Sequence, residues 1–217
     1  MIAGVSVEAG SEAVVVASAR PLRVLSSAVH LGGFAEARAV VNLHVRKHDP
    51  CADPSAMIEA FARRAQVPTP WVGLLTGALT ERAAVGEESA AGLAAIAVVT
   101  VGLSNPVAAG HSPIATWTAS TINTIVVVDA DPEPAALVNA VITATEVKGL
   151  ALRGAGLVVE DGVAVSGTST DAVVIAATGR GVRARFGGPA SEMGWVVARA
   201  VRAALDRGIA DWQERNR

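Results

Sequence analysis

The sequence predicts an α/β fold, in the broad sense that includes α+β: a single layered domain over residues 1–217, with a mixed β-sheet covered by helices. Runs rich in β-branched residues recur along the chain, and several are apolar at every position, as expected of strands covered on both faces. Segments with helical periodicity and helix-start signals lie between these runs. No tract rich in Pro, Gly or Ser is long enough to divide the chain, so one domain is the simplest organisation.

The strands are predicted from short β-branched runs bounded by polar or glycine residues. The dipeptide Asp161-Gly162 stands between valines, and this pattern is typical of a hairpin turn. The predicted strands cover residues 13–17, 39–45, 96–101, 125–128, 163–165 and 173–176.

Three helices are predicted. Asp53-Pro54 and Asp131-Pro132 should each begin one, because aspartate accepts hydrogen bonds from the free amides of a first turn and proline fits that turn. The first helix should end near Val67, and the second, apolar nearly all round, near Gly154. The third should follow Pro189, where apolar residues recur at helical spacing.

The composition excludes several functional classes. Hydrophobic residues make up 51% of the chain and charged residues 18%, which is too apolar for disorder and leaves room for a self-association face, so a homo-oligomer is an open expectation. With 18 basic and 20 acidic side chains, there is no positive excess to hold nucleic acid, and none is expected as a partner. The single cysteine, Cys51, cannot form an internal disulfide, which favours a reducing, cytoplasmic location.

No membrane partner is expected either. Residues 89–128 lack Asp, Glu, Lys and Arg, but Gly102, Asn105, Pro106 and other polar or helix-breaking residues interrupt them. No apolar run therefore approaches the roughly 18 residues that a spanning helix needs. Glutamates precede any Lys or Arg at the N-terminus, the reverse of the basic start of an export signal.

A polar stripe on the second predicted helix is the first candidate site. Asn139, Thr143 and Glu146 fall on one narrow face among apolar neighbours, with Lys148 expected to point elsewhere. A carboxylate sequestered in such surroundings suits general acid or base chemistry. The alternative is a thin strip that faces solvent.

The run from Gly167 to Asp171 is the second candidate site. It places the hydroxyls of Thr168, Ser169 and Thr170 and the carboxylate of Asp171 directly before a predicted strand. Hydroxyls and backbone amides there could stabilise an oxyanion, while Asp171 orients a water or activates a hydroxyl. The alternative is an ordinary turn whose hydroxyls bond locally.

The charge-free stretch supplies neutral hydrogen-bonding groups, among them Ser104, Asn105 and Asn123. Buried amides and hydroxyls must be paired, so these groups either form an internal network or bind a neutral ligand.

The nearest approach to a metal motif is His44, His48 and Cys51. Strand spacing does not make these side chains converge, so neither a metal nor another cofactor is expected.

Several segments, taken together, resemble the adenosylcobinamide amidohydrolase family. The most specific parts are GTSTDA (residues 167–172) and TEVKGLAL (residues 145–152), and together the segments cover most of the chain in order. The others are LSSAVHLGGF (25–34), VNLHV (41–45), VGLLTGA (72–78), TVGLSNP (100–106), STINTIVVVD (120–129) and FGGPASEMGWVVARAV (186–201).

The resemblance implies a corrinoid-salvage enzyme that cleaves the amide between the aminopropanol arm and the corrin ring of adenosylcobinamide, giving adenosylcobyric acid and 1-amino-2-propanol. The corresponding hypothesis makes Glu146 or Asp171 the general base for a water, with Thr168 and Ser169 stabilising the oxyanion; a Thr168 nucleophile is the variant. The candidate substrate-binding residues are Asn42, Ser104, Asn105, Asn123, Ser169 and Thr170. The alternatives are a non-catalytic corrinoid carrier or sensor, and a metal-dependent amidase.

Overall fold

The computed structural model describes residues 2–46, 53–114 and 120–217. In these ranges the chain forms twelve β-strands and three α-helices, with a short 3-10 helix at Thr80–Arg82. The helices are α1 (Pro54–Arg64), α2 (Pro134–Gly154) and α3 (Glu192–Arg215). The strands are β1 (Val5–Ala9), β2 (Ala13–Ser26), β3 (Gly33–His44), β4 (Trp71–Thr76), β5 (Ala84–Ala90), β6 (Leu93–Val101), β7 (Pro106–Val107), β8 (Ile122–Asp129), β9 (Asp131–Pro132), β10 (Gly167–Thr168), β11 (Ala172–Ala177) and β12 (Arg183–Ala184).

The large sheet has eight strands in the order β4-β3-β2-β11-β8-β6-β5, with β1 paired to β2 beside this path. β3 and β4 run parallel, as do β8 and β11, and the other pairs in this sheet are antiparallel. Two short ladders, β7 with β10 and β9 with β12, lie outside it. The predicted α/β fold with a mixed sheet is confirmed.

The sheet folds back on itself at β2, whose register with β3 breaks between Ala17 and Leu22. Inward-facing residues of both halves then share one core, with Val40 and Val72 on one side and Val98 and Ile125 on the other. The helices cover the outer faces: α1 packs on β3 and β4, and α2 and α3 pack on the half that contains β6, β8 and β11. This layering explains why so many strand residues are apolar on both faces.

The helix-start predictions have mixed outcomes. Asp53 caps α1 as predicted, accepting a hydrogen bond from the Ala56 amide at 3.0 Å. The prediction for Asp131-Pro132 is wrong: these two residues form β9, and α2 begins two residues later, at Pro134. The Asp131 carboxylate binds Arg23 instead of the amides of a first turn.

The strand predictions are confirmed for five of the six runs, each extended at one end or both. Residues 163–165 do not form a strand, and only a single bridge joins Val158 to Ala164 across the predicted turn. The strands β4 and β5 were missed because WVGLLT and AVGEESA lack the density of β-branched residues that marked the others.

Within the described residues, one helix, α2, is long and apolar enough to cross a membrane by length and composition alone. One face of α2 is buried in the core beneath the sheet, through residues that include Ala136, Ala140, Ala144 and Leu152. A helix buried in a protein core can therefore have the same apolar composition as a membrane-spanning helix.

Candidate active site

The inner faces of four strands end in polar residues at one end of the folded sheet. Asn42 on β3, Thr76 on β4, Thr100 on β6 and Asn123 on β8 are each 1% exposed. Each lies an even number of residues from a core valine, leucine or isoleucine on its own strand, so the period-two alternation turns all four toward the space between the sheet halves.

These side chains form one internal hydrogen-bond network. Asn123 Nδ2 donates to Asn42 Oδ1 and to the Leu75 carbonyl, both at 2.8 Å. Asn42 Nδ2 donates to Thr100 Oγ1 at 3.0 Å, and Thr121 Oγ1 donates to Asn123 Oδ1 at 3.2 Å. Asn42 and Asn123 therefore bond within an internal network, which is one of the two alternatives that the sequence left open. This geometry gives no support to their predicted contact with substrate.

Asp171, directly before β11, accepts hydrogen bonds from four donors. The backbone amides of Ile122 and Thr168 donate at 2.9 and 3.0 Å. The Thr168 hydroxyl and the Lys148 ammonium complete the set. These contacts place a hydroxyl, a carboxylate and an ammonium in one group, which we call the Asp171 cluster; the catalytic role of Thr168 and Asp171 stays a prediction.

Lys148 is the residue that sequence reasoning missed. It was expected to point away from the site, but its side chain is 9% exposed and pairs with Asp171, which is also 9% exposed. Helix periodicity places Lys148 on the same face as Ala144, four residues before it, and Ala151, three residues after it, and the structure shows that this face is buried. A lysine on a buried face needs a carboxylate partner, and GTSTDA supplies one.

The expectation that Glu146 is sequestered is wrong. Glu146 is exposed, because it lies two residues before Lys148, a rotation of about 200° around the helix. The polar stripe is not one environment either: Thr143 is buried and donates to the Gly187 carbonyl at 3.0 Å, and Asn139 is half-buried. The geometry gives Glu146 no part in the Asp171 cluster, and its catalytic role stays an untested prediction.

A cavity of about 260 Å³ opens beside the Asp171 cluster. Asp171, Thr121 and Thr170 supply polar groups to its wall. The rest of the lining is mostly apolar: Val29, Val45, Pro54, Leu74, Leu75 and Ala172, with Ser27. An apolar cavity with a few convergent polar groups is the usual form of a small-molecule site.

Two loops meet next to this cavity. β7 pairs with β10, so that Pro106 lies opposite Thr168. Asn105 Nδ2 donates to Ser169 Oγ at 2.7 Å, and the Ser104 amide donates to Ser120 Oγ at 3.1 Å. The structure therefore brings Asn105 and Ser169 together and holds Ser104 on the same loop, and their contact with a substrate stays a prediction.

The metal alternative lies partly outside the described residues, because His48 and Cys51 are not among them. His44 Nδ1 contacts the Ala78 carbonyl oxygen at 2.8 Å. In the part of the chain that the structure describes, no group of three or more His, Cys, Asp or Glu side chains is arranged to hold a metal ion.

Comparison with known proteins places the chain among the amidohydrolases. The model of the adenosylcobinamide amidohydrolase family matches residues 2–217, so the chain belongs to that family. A protein of Methanosarcina mazei named adenosylcobinamide amidohydrolase is 31% identical over 187 residues, which are 82% of this chain and 86% of that protein.

Two solved structures share the fold. A Pyrococcus horikoshii OT3 protein superposes with a TM-score of 0.51 at 12% identity, covering 97% of this chain and 80% of its own. A Burkholderia β-aminopeptidase superposes with a TM-score of 0.50 at 14% identity, covering 91% of this chain and 78% of its own. At these identities the likeness establishes only the fold.

Proposed function

We propose that this protein hydrolyses the amide between the aminopropanol arm and the corrin ring of adenosylcobinamide, releasing adenosylcobyric acid and 1-amino-2-propanol in corrinoid salvage. Membership of the adenosylcobinamide amidohydrolase family and the name of the M. mazei relative support this reaction. The observation that carries the chemistry is the Asp171 cluster, in which the Thr168 hydroxyl donates to a carboxylate held by Lys148 beside a cavity.

In the proposed first step, Thr168 Oγ attacks the amide carbonyl carbon while its proton passes to Asp171. The proton then goes to the amide nitrogen, the C–N bond breaks, and 1-amino-2-propanol leaves. Water attacks the resulting ester, with its proton taken by Asp171, and returns Thr168 to its hydroxyl form with the corrinoid carboxylic acid released. A hydroxyl bonded to an oriented base is the usual arrangement of an activated nucleophile.

Lys148 has two roles in this scheme. Before attack, its ammonium neutralises the charge of the buried Asp171 carboxylate. Without this partner, burial of the charge would be unfavourable in free energy. After Asp171 takes the proton, the positive charge of Lys148 is no longer neutralised and can stabilise the oxyanion on the substrate carbonyl.

A water activated directly by Asp171 is the second candidate mechanism. One observation favours it: Asp171 is among the residues that line the cavity, where a water and the substrate amide could meet. The four donors already on the carboxylate disfavour it, because they occupy the acceptor positions that a water would need.

Substitution of Thr168 separates the two mechanisms. Purified variants are incubated with adenosylcobinamide, and free 1-amino-2-propanol is followed by chromatography. With a threonine nucleophile, Thr168→Ser keeps most turnover, whereas the isosteric Thr168→Val loses about 10² or more, since an attacking group and its proton transfer are both removed. Substantial turnover by Thr168→Val would assign the attack to water.

The wild-type protein in the same assay tests the function itself. A non-catalytic corrinoid carrier would retain adenosylcobinamide on gel filtration and release no 1-amino-2-propanol. Dialysis against a chelator should leave turnover unchanged, and loss of turnover would favour the metal-dependent alternative.

We place the reaction in the cytoplasm, supported by the lone Cys51.

A further inference from the structure

The cavity beside the Asp171 cluster is too small for a whole corrinoid. Its volume is about 260 Å³, below the roughly 300–1,000 Å³ of pockets that enclose drug-sized molecules. A corrin ring with its side arms is larger than such molecules. The scissile amide joins two groups of very different size, the ring and a short aminopropanol arm. Only the arm fits a cavity of this volume while the amide lies at Asp171.

The lining of this cavity matches the two chemical parts of the arm. Leu74 and Leu75 of β4 and Ala172 of β11 offer apolar surface to its methyl group. Its hydroxyl needs a polar partner, because burial of an unpaired hydroxyl is unfavourable in free energy. Thr121, directly before β8, lies in the cavity wall and is only 2% exposed. This threonine therefore offers a polar group inside the cavity rather than at its rim.

The hydrogen bond that Thr121 makes determines which kind of partner it can take. Its Oγ1 atom donates to Asn123 Oδ1 at 3.2 Å, and an amide oxygen only accepts, so the Thr121 proton is committed to Asn123. The Asn123 side chain is held in turn by Asn42 and by the Leu75 carbonyl. A hydroxyl oxygen keeps lone pairs after its proton is used, so Thr121 can accept a hydrogen bond. The O–H group of the arm is a donor.

We propose that this cavity binds the aminopropanol arm, with the arm hydroxyl donating to Thr121 Oγ1, and that the corrin ring stays outside. The inference rests on the proposed function, because it requires an amide substrate that carries this arm. Thr121 is then the residue that selects for the arm hydroxyl. A site built to hydrogen-bond a substrate hydroxyl discriminates against an analogue that lacks it, because the polar group of the site is left unpaired.

Substrate analogues test which side of the amide enters the cavity. The wild-type protein is given adenosylcobinamide, an analogue whose arm is enlarged by a phenyl group, and an analogue in which one ring acetamide is a methyl ester; release of the amine is measured. We expect kcat/KM to fall by about tenfold or more for the enlarged arm and to change little for the ring ester. Equal kcat/KM for the natural and enlarged arms, or a larger loss for the ring ester, would overturn the proposal.

A deoxy analogue, whose arm is a plain propyl group, tests Thr121 itself. In the wild type, kcat/KM should be about tenfold or more lower for the deoxy arm than for the natural arm. In Thr121→Val the two values should be about equal, because the arm hydroxyl has lost its acceptor, and Thr121→Ser should keep the wild-type preference. Thr80→Val is the matched control: Thr80 is also buried, donates to the Gly10 carbonyl at 2.6 Å, and is not among the residues that line the cavity.

The preference between the two arms separates binding from folding, because a variant that is merely less stable loses rate with both substrates alike. A wild-type preference that survives in Thr121→Val would overturn the role of Thr121. The analogues given to the wild type need no variant, so they test the arm site even where Thr121→Val does not fold. Release of 1-amino-2-propanol from adenosylcobinamide is scored separately: release without either expected preference rejects the arm site and keeps the proposed function, and no release rejects both.

Discussion

Lys148 of α2 and Asp171 of β11 form an ion pair inside the protein, across 23 residues of sequence, with each side chain only 9% exposed. Removing two charges from water is costly, and attraction offsets the cost only when the remaining hydrogen-bonding positions are filled. Here the amides of Ile122 and Thr168 and the Thr168 hydroxyl fill them on the acid. The pair therefore fixes the position of the Asp171 carboxylate and, through it, of the Thr168 hydroxyl.

Loss of one partner of this pair should destabilise the fold. Lys148→Met leaves Asp171 buried without a counter-charge, and the free energy of unfolding should fall by about 3–5 kcal/mol in urea titrations. The double variant Lys148→Met/Asp171→Asn should be more stable than Lys148→Met alone, because the unpaired charge is gone. A double variant as unstable as the sum of the two single variants would show that the residues are not coupled.

A methyl group at Gly167 should disturb the same cluster. A Cβ there would lie 2.3 Å from Asp171 Oδ2 and 2.8 Å from Lys148 Nζ, so Gly167→Ala must displace the carboxylate and should strongly reduce turnover. Gly149→Ala is the matched control: a Cβ at Gly149 meets open space, and alanine in a helix should add about 0.5–1 kcal/mol of stability. Full turnover by Gly167→Ala would contradict the close packing at Asp171.

The two candidate carboxylates should differ in their effect on turnover. Asp171→Asn removes the proposed proton acceptor and should slow release of 1-amino-2-propanol by about 10² or more. Glu146→Gln should leave the rate unchanged, since Glu146 is exposed on the face of α2 opposite to Lys148. The reverse result would identify Glu146 rather than Asp171 as the general base.

The buried amides should affect stability more than substrate affinity. Asn42→Ala and Asn123→Ala each leave hydrogen-bonding partners unpaired, at a cost of about 1–3 kcal/mol, and the two costs should not add because the side chains bond each other. Thermal unfolding and the KM of the amide cleavage are measured on the same samples. A raised KM at unchanged stability would restore the predicted substrate-binding role.

Asp129 lies at the opposite end of the sheet from the Asp171 cluster, and its lowered pKa predicts that stability depends on pH. Burial is the largest influence and raises its pKa, but hydrogen bonds from Thr178 and Arg180, with the Arg180 charge, outweigh it, and the pKa lies below the ordinary value of 3.8. A lowered pKa in the folded state contributes stability above the ordinary value, and this contribution is lost as the pH falls through the lowered pKa.

Thr178→Val should therefore raise the pKa of Asp129 and move acid unfolding to higher pH. The carboxyl carbon shift of Asp129 in an NMR titration reports the first change, and circular dichroism reports the second. Thr145→Val serves as control, because the exposed Thr145 hydroxyl donates to the Val141 carbonyl of its own helix and not to a carboxylate. An unchanged titration in Thr178→Val would contradict the assigned cause.

Part of the element order could be predicted from local chemistry. Five β-branched runs are strands because such residues fit a sheet covered on both faces, and Asp53 caps α1 because its side chain reaches the Ala56 amide. The proximity of Thr168 to Asp171 was also readable, since the two residues are three apart in one turn. These features depend on neighbours along the chain, so they follow from local sequence alone.

The residues that meet across the fold depend on how distant elements pack together. Asn42 and Asn123 bond each other because the sheet folds back at β2; Pro21 marks the irregular part of β2 in the sequence, but not which distant strands the fold brings together. Lys148 rather than Glu146 meets Asp171 because the packing of α2 on the sheet selects one side of a helix that is apolar nearly all round. Periodicity gives the angle between two side chains on a helix, but the direction that is buried depends on what the helix packs against.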